Sequence, residues 1–322
     1  MKFSKLCFIL LLFSATFLQA QVVLPYSINK EGLPSDTARL AVSHTNDGLK
    51  PGSFALIGIQ EKDVAPDFVL YDTAGVPCQL SKLLAEGKPV LLVAVSYTCP
   101  QSRQGIGTRL RELSQRFGNV INIRLIYIIE AHPASPDVCP YTGVAYTTEA
   151  NVRDSVLFRQ PKTYLERKEI AKELIRDLNV SVPVLIDSPD NSWWLNFGPA
   201  PNNAYLITPS GMVYKKYAWL ANPNFGTDIT ILRRDETAMK TDFSKKVYIE
   251  KGQELNGRST LYVNGQHYSL DIFNASGKIL HHKDNVDAAQ LDLDKIRLPK
   301  GEYRIVVKTI EGYSYCLPYS RE

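Results

Sequence analysis

The stretch from Leu91 to Gly105, LLVAVSYTCPQSRQG, constrains this chain more than any other. The apolar run in KPVLLVAVSY reads as a buried strand, and it stops at Cys99. Pro100 follows, a residue favoured at the first position of a helix. Ile106, Leu110, Leu113 and Phe117 then fall at spacings of four, three and four, which puts them on one helical face. Strand, cysteine, proline and helix together predict an α/β domain with the Cys99 sulfur at a strand-to-helix turn.

That position has chemical consequences. Unpaired N–H groups and the positive end of the helix dipole favour a thiolate, and the thiolate is the nucleophilic form of cysteine. Cys99 is therefore expected to be a reactive thiol rather than a small buried hydrophobe, with Ser96, Thr98 and Gln101 as hydrogen-bond donors and Arg103 as a nearby charge. Ser102 stands where a CxxC motif would carry its second cysteine. A one-thiol cycle through a sulfenic acid or related adduct remains, with the sulfur restored by a distant cysteine or an external thiol reductant. Cys139 is the first candidate for such a resolving thiol and Cys78 the second; each is otherwise a spectator.

The rhythm of short apolar and amphipathic runs continues from Ala65 to about Tyr217. INIRLIYIIEAH is a second strand, Tyr164 to Leu178 a helix with Ile170, Leu174 and Leu178 on one side, and VPVLID a third strand. A short helix carrying Trp193 and Trp194 then leads to the hairpin AYLITPSGMVYKKY, turned by Pro209-Ser210-Gly211. Both tryptophans are expected to pack a helix on the sheet rather than line a substrate pocket. Glu130 and His132 leave the second strand at the sheet edge from which Cys99 emerges, the edge where α/β proteins place ligand sites. His132 can shuttle a proton, while Glu130 fixes its tautomer or binds substrate.

The organisation expected from the sequence is a signal peptide over 1–20, a lead-in over 21–62, the α/β domain over 63–219, a linker over 220–246 and an all-β tail over 247–322. Lys2 and Lys5 precede the apolar run Leu6 to Leu18, and Ala20 offers a small residue for cleavage. The chain is thus expected to be exported to the periplasm, the cell surface or the medium, with Cys7 removed and no membrane span in the mature protein. In the tail, short alternating strands flank Asn264-Gly265 and Ser276-Gly277 at hairpin spacing, which predicts a small β-sandwich. His267, His281 and His282 lie there without ligands at metal spacing, and no metal or other cofactor is expected. A net charge of +4, with no basic run, argues against a nucleic-acid partner.

Four segments, SYTCPQ, YIIEAHP, VPVLIDSPDNSWWLNFG and NAYLITPSGMVYK, resemble in order and spacing the iodothyronine deiodinase family. That resemblance implies a thioredoxin-like fold related to the peroxiredoxins, with Cys99 in place of the family's selenocysteine and Glu130 and His132 matching its substrate-binding and proton-transfer residues. A small-molecule electrophile and a thiol reductant are the partners it implies. The chain departs from the family at Tyr97 and Val182, where cysteines stand, at Arg159 to Thr163, which lacks a histidine, and at Asn203, the place of a carboxylate-clamping arginine. The departures weaken recognition of an iodothyronine. Ser96 precedes Cys99 by three residues as in peroxiredoxins, which makes a thiol peroxidase the alternative, and a non-catalytic binding protein is the other. YSLDIFNASGKIL and LDLDKIRLPKGEYRIVV look similar to the sorting domain that directs proteins through type IX secretion in Bacteroidetes.

Overall fold

The computed structural model describes residues 23–29, 32–41, 53–235, 247–251, 259–264, 267–310 and 314–322. The expected signal peptide and Cys7 lie outside the described residues.

The run Val90–Val95 forms a strand (β3) buried along its whole length. Its side chains alternate, Leu91, Val93 and Val95 entering one apolar cluster and Val90, Leu92 and Ala94 the other. A sheet with a core on each face follows from that single segment. Strands Val69–Asp72 (β1) and Pro77–Gln79 (β2) precede it, with the short helix Leu80–Leu84 (α1). After Cys99 the chain is helical without interruption from Pro100 to Phe117: α2 (Pro100–Gly105), a π-helical turn (Ile106–Leu110) and α3 (Arg111–Phe117). Ile106, Leu110, Leu113 and Phe117 are all buried, as their spacing predicts.

Strand Asn122–Tyr127 (β4), helices Glu149–Arg153 (α4) and Tyr164–Asp177 (α5), strand Val184–Ile186 (β5), helix Ser192–Phe197 (α6) and strands Ala204–Ile207 (β6) and Val213–Tyr217 (β7) follow. The seven-stranded sheet runs β2-β1-β5-β4-β3-β6-β7, with β3, β4 and β5 parallel and β6 antiparallel to β3. A β3-helix-β4 unit beside an antiparallel β6-β7 hairpin is a thioredoxin-like fold. Gly211 supplies the hairpin's left-handed residue, with φ of 90°.

Residues 220–246, expected to be a linker, are not one throughout. Phe225–Arg234 forms a helix (α7) whose Phe225, Ile229 and Leu232 are buried in the cluster that also holds α3 and β3. Burying three such side chains contributes on the order of 5 kcal/mol, enough to fold a segment whose proline and charges look like linker sequence. The lead-in is likewise fixed to the domain: Leu24 and Phe54 enter the core, the Ile28 amide donates to the Asp67 carbonyl at 2.9 Å and the Asp67 amide to the Tyr26 carbonyl at 2.7 Å.

The tail is an all-β sandwich. Its four-stranded sheet is Ile279–Val286 (β11), Tyr268–Asn274 (β10), Gly301–Thr309 (β13) and Ser314–Arg321 (β14), in that order. The other sheet is Gln290–Asp292 (β12), Ser259–Val263 (β9) and Val247–Lys251 (β8). Ser276-Gly277 turns the expected β10-β11 hairpin, with the Asn274 side chain accepting the Ser276 and Lys278 amides. Asn264 does not open a hairpin: β9 and β10 belong to different sheets, so the chain crosses between layers there, and Gly265 lies outside the described residues. The sandwich contacts the lead-in and the first residue of the α/β domain, Lys308 donating to Asp63 at 2.7 Å, the Ser314 amide to the Lys62 carbonyl at 3.1 Å, and Phe273 packing on Tyr26. No described helix is long and apolar enough to cross a membrane.

Candidate active site

Cys99 is the N-cap of the helical run, in extended backbone conformation at the end of β3. It is 2 % exposed and packs in the cluster on the α6 face of the sheet. Burial pushes its thiol pKa up, against the amide and hydroxyl of Ser102, the amide of Gln101 and the charge of Arg103, which all pull it down. The expected activation by the helix terminus is present but is outweighed, because desolvation penalises the charged sulfur most. The resting sulfur is a neutral thiol. The Ser102 hydroxyl has one proton and two acceptors within reach, the sulfur and the Pro201 carbonyl at 3.3 Å.

Glu130 is fully buried and is not open to a substrate. Its Oε2 accepts the Thr98 hydroxyl at 2.7 Å, the Thr98 amide at 2.9 Å and the Ser96 hydroxyl at 3.1 Å, while the Tyr127 hydroxyl donates to Oε1. A buried carboxylate has to find donors, and those three side chains supply them. Ser96 Oγ and Thr98 Oγ1 in turn accept the amides of Ala131 at 2.9 Å and His132 at 3.0 Å. The loops after β3 and β4 are thereby zipped together, and Glu130 positions Cys99 rather than binding ligand.

His132 is brought to the same edge, half-buried, with its ring edge-on to Tyr146. Burial and then the Arg103 charge lower its pKa, so the imidazole is neutral at pH 7. No hydrogen bond joins its ring to Cys99, and its buried Nδ1 has no partner. A neutral ring with an open nitrogen can accept or pass a proton.

Cys139 is buried in the cluster that holds Cys99, and Tyr141 lies close enough to feel the charge of either sulfur. All four described cysteines are free thiols. Cys78 sits on β2, where its charged neighbours are Arg124, Glu86 and Asp72 rather than any residue of this site. Trp193 and Trp194 are fully buried, the first stacked on Phe197 and the second donating its Nε1 to the Tyr141 hydroxyl at 3.1 Å, so packing is their role. Asn203 is also occupied internally, donating to the Gly198 carbonyl and the Tyr205 hydroxyl. In the tail, the His282 ring lies between Asp271 and Asp284. Among the described residues no group of three or more His, Cys, Asp or Glu side chains is placed to hold a metal.

Three residues of the site had no signal in the sequence. Asn151, fully buried on α4, donates to the Thr98 carbonyl at 2.8 Å and the His132 carbonyl at 3.2 Å. Its Oδ1 accepts from Arg103, which also bonds the Tyr97 carbonyl and pairs with Asp154 at 3.0 Å. Gln160 clasps the Glu130 peptide, accepting its N–H at 3.1 Å and donating to its carbonyl. Tyr127, the last residue of β4, completes the carboxylate's donors.

No protein-family model matches the chain, and no curated protein matches it. Among solved structures it is similar to a thiol-disulfide oxidoreductase from Bacteroides fragilis, at 12 % identity over 53 % of this chain and 99 % of that one, with a TM-score of 0.36. It is also similar to the thioredoxin domain of a thiol-disulfide oxidoreductase from Bacteroides vulgatus, at 13 % identity over 55 % of this chain and 97 % of that one, with a TM-score of 0.36. A secreted disulfide oxidoreductase of Mycobacterium tuberculosis, homologous to E. coli DsbE, gives 12 % identity over 51 % of this chain and 96 % of that one, with a TM-score of 0.34. The fold itself rests on the strand order described above.

Proposed function

We propose that this chain is an exported thiol-dependent oxidoreductase that attacks with the single sulfur of Cys99. The observation that carries the reading is Cys99 at the N-cap of a continuous helical run, faced by the Gln101 and Ser102 amides and the Ser102 hydroxyl. Those donors are aimed where negative charge sits once the thiol loses its proton, the arrangement that stabilises an anion in a dry site.

The cycle begins when Cys99 is deprotonated and its sulfur attacks an electrophilic atom X of a substrate X–Y. An S–X bond forms, the X–Y bond breaks, and Y leaves with the electron pair and takes a proton. X is a peroxide oxygen, or the aryl-bound halogen that the deiodinase resemblance implies. A thiol, from Cys139 or an external reductant, then displaces X as water or halide and forms a disulfide. Two external thiols reduce a Cys99–Cys139 disulfide, or one more external thiol releases a mixed disulfide, so that on either route two external thiols supply the two electrons and leave as their own disulfide. Neutral His132 accepts the thiol proton and passes it to Y. Glu130, Ser96, Thr98 and Asn151 hold the two loops in register. Export rests on the amino-terminal pattern of Lys2, Lys5 and the Leu6 to Leu18 run, and a secretion-machinery partner rests on the resemblance of the tail.

The test is thiol-coupled turnover of cumene hydroperoxide and of iodinated phenols by the mature protein, with mass spectrometry after a peroxide pulse. Oxidation confined to Cys99, or a Cys99–Cys139 disulfide, together with loss of turnover in Cys99→Ser, supports the reading. Full activity in Cys99→Ser overturns it. The near-complete burial of Cys99 favours a second reading, a retained scaffold that binds a ligand or a partner. Absence of selective oxidation and of turnover, with ligand binding unaffected by alkylation, would favour that one instead.

A further inference from the structure

A cavity of about 830 Å³ lies beside the candidate site and does not include Cys99. Sites for small organic molecules are typically about 300–1,000 Å³, so the space suits a metabolite rather than a macromolecule. Its walls are largely apolar, with Ile129, Val138 and several prolines. Its charged lining is three cations, Arg39, Lys162 and Arg167, against two carboxylates, Asp137 and Glu166. Arg39 and Lys162 are held side by side by the backbone, since Arg39 bridges Thr163 and the Leu40 amide donates to the Lys162 carbonyl at 2.9 Å. Neither side chain has an ion-pair partner among the described residues.

The carboxylates nearby are spoken for. Asp137 receives two hydrogen bonds from Arg159, at 2.6 and 2.7 Å, and one from the Gln160 amide. Glu166 accepts the Lys162 amide at 2.6 Å. Arg167, 1 % exposed, also lines the cavity, and its Nε has no hydrogen-bond partner although its other nitrogens do. Two exposed cations without a direct ion pair and a buried guanidinium N–H without a hydrogen bond, around a largely apolar space, define a site for a negative group carried on an apolar body.

We propose that this cavity binds a small amphipathic anion, with Arg39, Lys162 and Arg167 receiving its carboxylate or sulfonate and the proline-rich wall its apolar body. The site does not use the thiol proposed above, because Cys99 is not part of its lining, although Gln160, which clasps the Glu130 peptide, is.

The experiment is calorimetric titration of the intact chain with decanoate and 1-naphthaleneacetate, against decanol and decyltrimethylammonium as uncharged and cationic comparators. One carboxylate per chain is expected, bound at least tenfold more tightly than either comparator. Arg39→Glu combined with Lys162→Glu, both on exposed side chains, should weaken it tenfold or more with an unchanged melting curve. Cys99→Ala should bind as the unsubstituted chain does, whatever becomes of redox activity. No saturable carboxylate binding at millimolar concentration, equal binding of all probes, indifference to the double substitution, or loss of binding in Cys99→Ala would each overturn the proposal.

Discussion

The Thr98 hydroxyl donates to Glu130 Oε2 at 2.7 Å and accepts the His132 amide at 3.0 Å, so one side chain joins the cysteine loop to the histidine loop. Thr98→Val keeps the shape and removes both bonds. With a buried amide and a buried carboxylate each losing a partner, the fold should lose about 2–4 kcal/mol, read from chemical denaturation. Glu130→Gln should cost a similar amount, since an amide offers one acceptor oxygen where the carboxylate offers two. If Glu130→Gln leaves stability intact and only raises KM, the residue binds substrate after all.

The pH dependence of Cys99 follows from its burial. Its folded pKa lies above that of a free thiol, so alkylation by iodoacetamide should be slower at pH 7 than for free cysteine, with a profile displaced to higher pH. Ser102→Ala removes a donor that favours the thiolate and should displace the profile further. Because the raised pKa marks a preference for the protonated form, its share of stability is present below the unfolded thiol's pKa and is lost as pH rises through the folded value. Movement of the profile to lower pH in Ser102→Ala would contradict the arrangement of donors.

Asp187 provides a second titration, away from the sulfur. It is fully buried, accepts the amides of Ser188, Trp193 and Trp194, and burial raises its pKa to about 6 against the pull of Arg167. A raised carboxylate stabilises the fold below the unfolded pKa of about 3.9 and loses that contribution as pH climbs through about 6. Thermal melts from pH 4 to 8 should therefore show a downward inflection near pH 6 that Asp187→Asn lacks.

Helix α7 should behave as part of the thioredoxin-like domain. Ile229→Ala removes fully buried atoms from the core shared with α3 and should destabilise that domain by about 2–5 kcal/mol. A loss below 0.5 kcal/mol in denaturant unfolding would return the segment to the status of linker.

What the sequence made legible was local. The cysteine turn and the helix after it follow from spacings within fifteen or so residues of Cys99, and burial of Ile106, Leu110, Leu113 and Phe117 confirms that reading. Helix α7 carries the same kind of signal, Phe225, Ile229 and Leu232 at spacings of four and three, masked by Pro223 and the Arg233-Arg234-Asp235 cluster. Asn151 and Gln160 had no such signal, because their partners are remote in sequence and meet only in the folded chain. The thiol's raised pKa belongs to the same class: dipole and donors can be read from the residues that follow Cys99, whereas desolvation depends on everything that packs over it. Asn264 illustrates the limit for turns, since the same residues serve a hairpin or a crossing between sheets.

The contacts of Lys308 with Asp63 and of Ser314 with Lys62 tie the last two strands to the start of the α/β domain, and they set an order of assembly. Every strand of the seven-stranded sheet is available once Tyr217 has been made, with Lys62 and Asp63 already bonded to Val213, yet the contacts that dock the tail cannot form until β13 and β14 exist. Contacts of such long sequence separation form late and slowly. A chain emerging from its amino terminus therefore passes through an interval in which the cysteine-bearing sheet is complete but the tail has not yet docked on it, and the last strands to be made close that interval.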